Sequence, residues 1–207
     1  MIAICTMLTD HIGAVLFPSA LWLRFIGRIA FPIFCFLLVE GFYHTRDVKK
    51  YALRLLAFCF ISEIPFDLAF NGAVLEAGSQ NVFFTLFLGL VMMWLMKKCE
   101  ESYKYKAFIV LVFIVCAGAA AFLSTDYSAG GVLIIFIFYY FREKTLLKFI
   151  LFGIVSYVFF GWIEMFCLIA IIPILLYNGE RGPSMKYVFY VFYPVHLLIL
   201  SAAALVV

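Results

Sequence analysis

Three histidines and a handful of charged residues, set in an otherwise apolar chain, carry what chemistry this sequence can offer. Asp10 and His11 are adjacent. His beside Asp is the minimum equipment for a general base whose tautomer a carboxylate fixes. Neighbouring helical residues point about 100° apart, however, so Asp10 is equally placed to hold an arginine. Arg24 and Arg28 are four apart, on one helical face. Glu63 and Asp67 are also four apart and straddle Pro65; Gln80 and Asn81 open a later segment, and Asp126 and Tyr127 lie between two others. His196 follows Pro194 in Tyr193-Pro194-Val195-His196, where a ring buried in apolar surroundings needs a partner. His44, beside Arg46, reads as a solvated residue at a helix end.

Such residues matter because of what surrounds them. Hydrophobic residues make up 67% of the 207 and charged residues 13%, against about 45–50% and about 25% in a soluble globule. With a mean hydropathy of +1.14, too little polar surface remains to cover a water-facing domain. A soluble enzyme, a nucleic-acid-binding module, a disordered tail and a disulfide-stapled secreted domain are all excluded. The six cysteines are scattered without a C-x-x-C pair and read as apolar packing residues. No two histidines share ligand spacing on one helix, so no metal site is expected. The Phe83-Phe84-Phe87 stripe reads as packing or lipid-facing.

A helix crossing a hydrocarbon core of about 30 Å needs about 20 apolar residues. On that ruler the expected spans are roughly 1–17, 21–44, 51–70, 80–96, 107–123, 129–141, 146–160, 163–177 and 187–207. The first is read as a span and not as a cleaved signal peptide, since it has no basic leader and contains Asp10 and His11. The stretch 146–177 admits one long tilted helix or two short ones turning at Gly161-Trp162-Ile163-Glu164. Basic residues decide between them. They gather at Arg46/Lys49/Lys50/Arg54, Lys97/Lys98/Lys104/Lys106, Arg142/Lys144/Lys148 and Arg181/Lys186, while 18–19, 71–79 and 124–128 contain none. Cytoplasmic placement of all four groups requires two crossings between residues 148 and 181, hence about nine spans with a cytoplasmic N-terminus. The expected architecture is an all-α, polytopic transmembrane helical bundle forming one domain over 1–207.

In that topology Asp10, His11, Arg24, Arg28, Glu63, Asp67, Asn81, Asp126 and Tyr127 fall at similar depth near the external face. An ionisable side chain in hydrocarbon costs about 2.5–3.5 kcal/mol on insertion scales, so each asks for a partner or a function. A purely structural account is a salt-bridge network in which Arg24 and Arg28 pair with Glu63, Asp67 or Asp10. A functional account is a polar site around an imidazole that titrates near neutral pH.

The chain also resembles the TraX family. The resemblance rests on MLTDHIG, LRFIGRIAFPIFCFLLVEGFYHTR, KKYALRLL, ISEIPFDLAF, NVFFTLFLGL, DYSAGGVL, YNGERG and KYVFYVFYPVHL, in order from residue 7 to about 198. That family is similar to the transmembrane acyltransferases, which include the lysosomal heparan glucosaminide acetyltransferase, and is associated with N-terminal acetylation of conjugative pilin. The resemblance implies a bacterial cytoplasmic-membrane acetyltransferase with acetyl-CoA (acyl-CoA) as donor, no metal, and an amine or hydroxyl acceptor on a peptide, glycan or small metabolite. It implies His11 as catalytic base with Asp10 as its neighbour. It further implies Arg24, Arg28, Arg54, Glu63, Asn81, Tyr127 and His196 as residues that line the site or bind acyl-CoA. The CoA phosphates would meet Arg54, Arg46–Lys50, Arg181 and Lys186 on the cytoplasmic side. Direct transfer and an acyl-histidine intermediate both remain open. Where the family pattern has D-Y-G, this chain has Asp126-Tyr127-Ser128, which bears on any role needing glycine's backbone freedom.

The residues alone keep other classes open. Intramembrane Asp, Glu, Arg and His also fit an ion-coupled transporter or lipid flippase, although no inverted repeat or paired broken helices accompany them. A structural membrane protein would need His11 for folding only. Partners expected are membrane lipids, acyl-CoA and an acceptor, without nucleic acid; a homodimer is compatible with the sequence but nothing in it calls for one.

Overall fold

A computed structural model describes residues 1–100, 105–180 and 186–206, and over them the chain is an all-α bundle. Its helices are α1 (Ile2–Val15), α2 (Leu21–Gly27), α3 (Ala30–His44), α4 (Val48–Phe70), α5 (Val82–Glu100) and α6 (Tyr105–Phe122). They continue as α7 (Ser128–Tyr140), α8 (Thr145–Phe160), a 3₁₀ segment (Trp162–Ala170), α9 (Ile171–Leu175) and α10 (Lys186–Ala204). Three stretches, Leu21–His44, Val82–Cys99 and Tyr187–Ala204, are long and apolar enough to cross a membrane. Five shorter apolar helical stretches accompany them. Of the basic groups, Lys104 and Arg181 lie outside the described residues, as do the side chains of Lys106 and Lys186.

The stretch 21–44, expected as one helix, breaks at Arg28–Ile29. Pro32 explains it: proline has no N–H to return to the Arg28 carbonyl, and its ring crowds that oxygen. The chain tightens there into an i→i−3 bond from Ile29 N–H to Ile26 O. The consequence is functional, because the break leaves Arg28 at a corner where its side chain reaches three other elements. A second interruption falls at Gly161 (φ +82°), a backbone state that glycine adopts without penalty. It separates α8 from the 3₁₀ segment at the turn expected there and brings Glu164 into the interior.

α1 packs against α2, α3 and α10; α4 packs against α5 and α10; α7 packs against α3, α5, α6 and α8. The two ends of the bundle differ in chemistry. At one end Gln80 accepts from Asp126 N–H through its carbonyl (2.7 Å), tying 71–80 to 123–127. At the other, Arg142 binds Glu40 of α3 through Nε and Nη2 (3.1 Å each), and its guanidinium lies 4.3 Å over the Tyr43 ring. His44 sits there too, with Nδ1 on the Glu40 carbonyl (2.8 Å), as a helix-end residue. Asp47 caps α4 by accepting from Lys50 N–H (3.0 Å), and that bond holds its carboxyl below the usual range. The core between the ends is Phe, Met, Leu and Ile, with Cys35, Cys59, Cys116 and Cys167 buried in it as free thiols.

Candidate functional site

The polar residues divide into two clusters that share α1. The first surrounds Asp10, whose helix turns it toward α2. Arg28 Nη2 donates to both carboxylate oxygens (2.6 and 2.8 Å), and Arg24 Nη1 donates to Oδ2 (2.7 Å) and to the Asp10 carbonyl (3.1 Å). Arg28 Nη1 reaches Glu164 Oε2 at 3.2 Å and makes a longer contact, 3.5 Å, with the Tyr127 hydroxyl. Charge-assisted bonds of this geometry are the strong ones, and each group removed from water here has an opposite charge to meet. The packing is close enough to dictate sequence: any Cβ on Gly27 would land on the Asp10 carboxylate.

Asp10 is thus committed to the arginines, and no described contact joins its carboxylate to the His11 ring. Of the structural pairings open to Arg24 and Arg28, Asp10 is the one formed. Glu63 and Asp67 are elsewhere. Glu164, absent from the sequence-derived site, takes the remaining place.

Beside this network lies a cavity of about 380 Å³ lined by Arg24, Arg28, Asp126, Tyr127, Glu164, Leu21, Phe160 and Ile163. Tyr127 has φ +62° and lies flat on Phe31, with ring centroids 3.7 Å apart and 3° between planes. Ser128 follows with φ +44°, so the position where the family pattern has glycine does demand the left-handed region. Asp126, in the turn before α7, is pushed up to about 6 by burial, a rise that Arg28 opposes and Asp10 reinforces.

The second cluster surrounds His11. His11 Nδ1 and His196 Nε2 are 2.6 Å apart, with the two rings 5° from parallel. His196, 4% exposed, also places Nδ1 2.7 Å from the Phe192 carbonyl. Tyr193 sets its edge against both imidazoles, at 5.9 Å from His11 and 5.7 Å from His196, and Phe70 meets His11 at 5.3 Å. His11 does not line the cavity; it faces a neighbouring sector of α1, as the 100° step from Asp10 requires.

Glu63 and Asn81 form a separate pair. Asn81 donates to Glu63 Oε2 through its side chain and also, at 3.4 Å, through its main-chain N–H. It gives a further bond to the Cys59 carbonyl (2.8 Å) and caps α5 at Phe83 N–H (3.0 Å). Glu63 Oε1 is buried without a described partner. Tyr193, which abuts both histidines, also packs on Phe83, 5.1 Å away. Asp67, fully buried, accepts from Asn71 (3.1 Å) and Glu76 N–H (2.8 Å), holding the connection after α4.

Arg54 is nearer the start of α4, roughly 13 Å along the axis from Glu63 at 1.5 Å per residue. Its guanidinium carbon lies 5.6 Å from the Tyr51 ring, it bonds to Tyr190, and its buried Nε has no described partner. Among the described residues no group of three His, Cys, Asp or Glu could hold a metal ion.

A profile of the family described as TraX protein matches residues 1–204. The chain is 32% identical to a probable fimbrial assembly protein FimC, serogroup H1, of Dichelobacter nodosus, over 98% of this chain and 92% of that one. It is 27% identical to the uncharacterised protein RP591 of Rickettsia prowazekii (strain Madrid E), over 71% of this chain and 56% of that one. No solved structure matches.

Proposed function

The chain belongs to the TraX family, and from that premise we propose that it is a multi-pass cell-membrane acyltransferase. In this reading it moves an acetyl or other short acyl group from cytosolic acyl-CoA to an amine or hydroxyl, with His11 as general base. The observation that carries the reading is the His11–His196 contact, in which one ring nitrogen of His11 is engaged and the other, Nε2, has no partner among the described residues.

His11 Nε2 takes the proton of the acceptor as its nitrogen or oxygen attacks the thioester carbon. The thioester would have to lie at the seam between the cavity and the His11 sector of α1, where its tetrahedral oxyanion meets the guanidinium of Arg24, which lines the cavity and engages Asp10 through Nη1 alone. Collapse breaks the carbon–sulfur bond, and the CoA thiolate leaves with the proton from His11. Asp10 works through the arginines, fixing their positions. Glu164, through Arg28, and Tyr127 complete the wall.

Acyl-CoA as donor is supported by Arg54, whose unpartnered buried Nε is suited to a phosphate oxygen, with exposed Arg46, Lys49 and Lys50 nearby in sequence. Glu63, Asn81 and His196 then lie between donor end and acceptor end. Because the Dichelobacter relative is described as a probable fimbrial assembly protein, a peptide amine is the acceptor we would test first.

Purified protein in detergent, given acetyl-CoA and a short peptide, should release free thiol in proportion to acetylated peptide. Arg54→Gln should weaken donor binding while leaving the rate at saturation. Absence of both acetyl-CoA binding and thiol release from folded protein would reject the reading.

A further inference from the structure

We infer that His196 is a positioning residue that locks resting His11 in the tautomer protonated on Nδ1, leaving the lone pair on Nε2. The inference deepens the acyltransferase reading and rests on it for its catalytic meaning, but the protonation pattern follows from geometry alone. A carbonyl oxygen only accepts, so the 2.7 Å contact to Phe192 O requires the proton of His196 on Nδ1. A neutral imidazole protonated there has its lone pair on Nε2. That nitrogen is 2.6 Å from His11 Nδ1, so the intervening proton belongs to His11 Nδ1. The other neutral arrangement of His11 sets two lone pairs against each other at 2.6 Å. The chain Phe192 O, His196, His11 therefore has one direction, and it ends at His11 Nε2.

The surroundings hold this geometry. The two rings are within 5° of parallel, and a bond of this length between coplanar rings lies along both lone-pair directions. His196 stacks on Phe192 one turn earlier in α10, 4.6 Å away at 14°. Tyr193 abuts both imidazoles. The stack does more than pack. When His11 Nε2 accepts a proton, its Nδ1 proton can shift to His196 Nε2, placing the positive charge over the Phe192 face. The cations whose charge reaches His11 are Arg24 of α2 and Arg28 at the corner after it, both already engaged by Asp10. Collapse of the oxyanion returns both protons to their starting atoms and delivers the transferred one to the thiolate. Asp10, the neighbour in sequence, has no part in setting the tautomer; a residue 185 positions away does.

The test is ¹⁵N NMR of histidine-labelled wild-type protein in detergent, with resonances assigned through His44→Gln and His196→Gln. The expected result is a protonated, pyrrole-type Nδ1 and a bare, pyridine-type Nε2 on His11. His196→Gln, whose amide oxygen can stand in for Nε2, should retain that pattern and lose about tenfold in turnover or less. His196→Leu should give mixed tautomers and a fall in kcat of about 100-fold or more, with donor KM unchanged. A His11 protonated on Nε2 in the wild type overturns the inference without any variant having to fold. So does wild-type turnover in His196→Leu. If the NMR pattern is as expected but wild-type protein neither binds nor cleaves acetyl-CoA, the acyltransferase reading fails and the tautomer assignment stands.

Discussion

The carboxylate of Asp10 rests on the Cα of Gly27 and is gripped from the same side by Arg24 and Arg28. One helix face thus carries a glycine between two arginines, four residues apart and one short of the corner that Pro32 creates. The glycine admits the carboxylate, and the arginines neutralise it. Gly27→Ala inserts a methyl where the carboxylate sits, and overpacking of this kind costs about 1–3 kcal/mol. The variant should show a lower thermal midpoint in detergent and lose donor turnover; wild-type behaviour in both would show that the close approach is not needed.

Removing Asp10 has a different signature from removing either arginine. Asp10→Ala leaves Arg28 with Glu164 as its one carboxylate and Arg24 with none among the described contacts, and breaking a buried pair by deleting one partner costs about 3–5 kcal/mol. Arg24→Gln leaves the Arg28 bonds intact, and Arg24 is the more exposed of the two, 31% against 14%. Unfolding midpoints should rank wild type, then Arg24→Gln, then Asp10→Ala.

Ser128 occupies a left-handed backbone position at φ +44° without glycine's freedom. Ser128→Gly should relieve the strain and raise stability by about 1 kcal/mol, read as a higher thermal midpoint. A lower midpoint would mean the serine side chain makes up for its backbone.

Asp126 gives the cavity a pH dependence. Its folded value of about 6 lies above the ordinary 3.8, so between those values the folded protein holds a proton that the unfolded chain has lost. Its contribution to stability is therefore full below 3.8 and declines as pH rises through about 6. Asp126→Asn removes the charge at every pH. The variant should be more stable than wild type at pH 7.5, with the difference shrinking toward pH 5. A constant difference across that range would rule out the buried carboxyl as its source.

What could be read from the sequence divides along physical lines. Helix positions were legible because apolar length is a local property: α4 through α8 and α10 lie over the expected stretches and Gly161 turns where expected, while among the described residues Leu21–His44, Val82–Cys99 and Tyr187–Ala204 are the stretches long and apolar enough to cross a membrane. The α2–α3 corner was missed because hydropathy is blind to Pro32's missing N–H. The arginine cluster was legible because charge in an apolar chain must be compensated, and Asp10 is one of the carboxylates that share the arginines' depth. Glu164 was not, since it stood at an ambiguous turn whose depth no local pattern fixes. Glu63 and Asp67 share a similar sequence depth with the arginines, yet pair with Asn81 and with the backbone after α4. Depth along a helix constrains one coordinate and leaves the facing neighbour open. The partnership of His11 with His196 is the extreme case: each ring separately called for a polar neighbour, and only the packing of α1 on α10 could say that they answer each other.

The most direct measurement is single-turnover release of CoA thiol from acetyl-CoA in the presence of the acceptor peptide, wild type against His11→Ala, at donor concentrations that saturate both proteins. With His11 as base, the variant binds acetyl-CoA as the wild type does and releases thiol at least 100-fold more slowly. Equal rates at equal occupancy would contradict the assignment of His11 and move the chemistry to another residue.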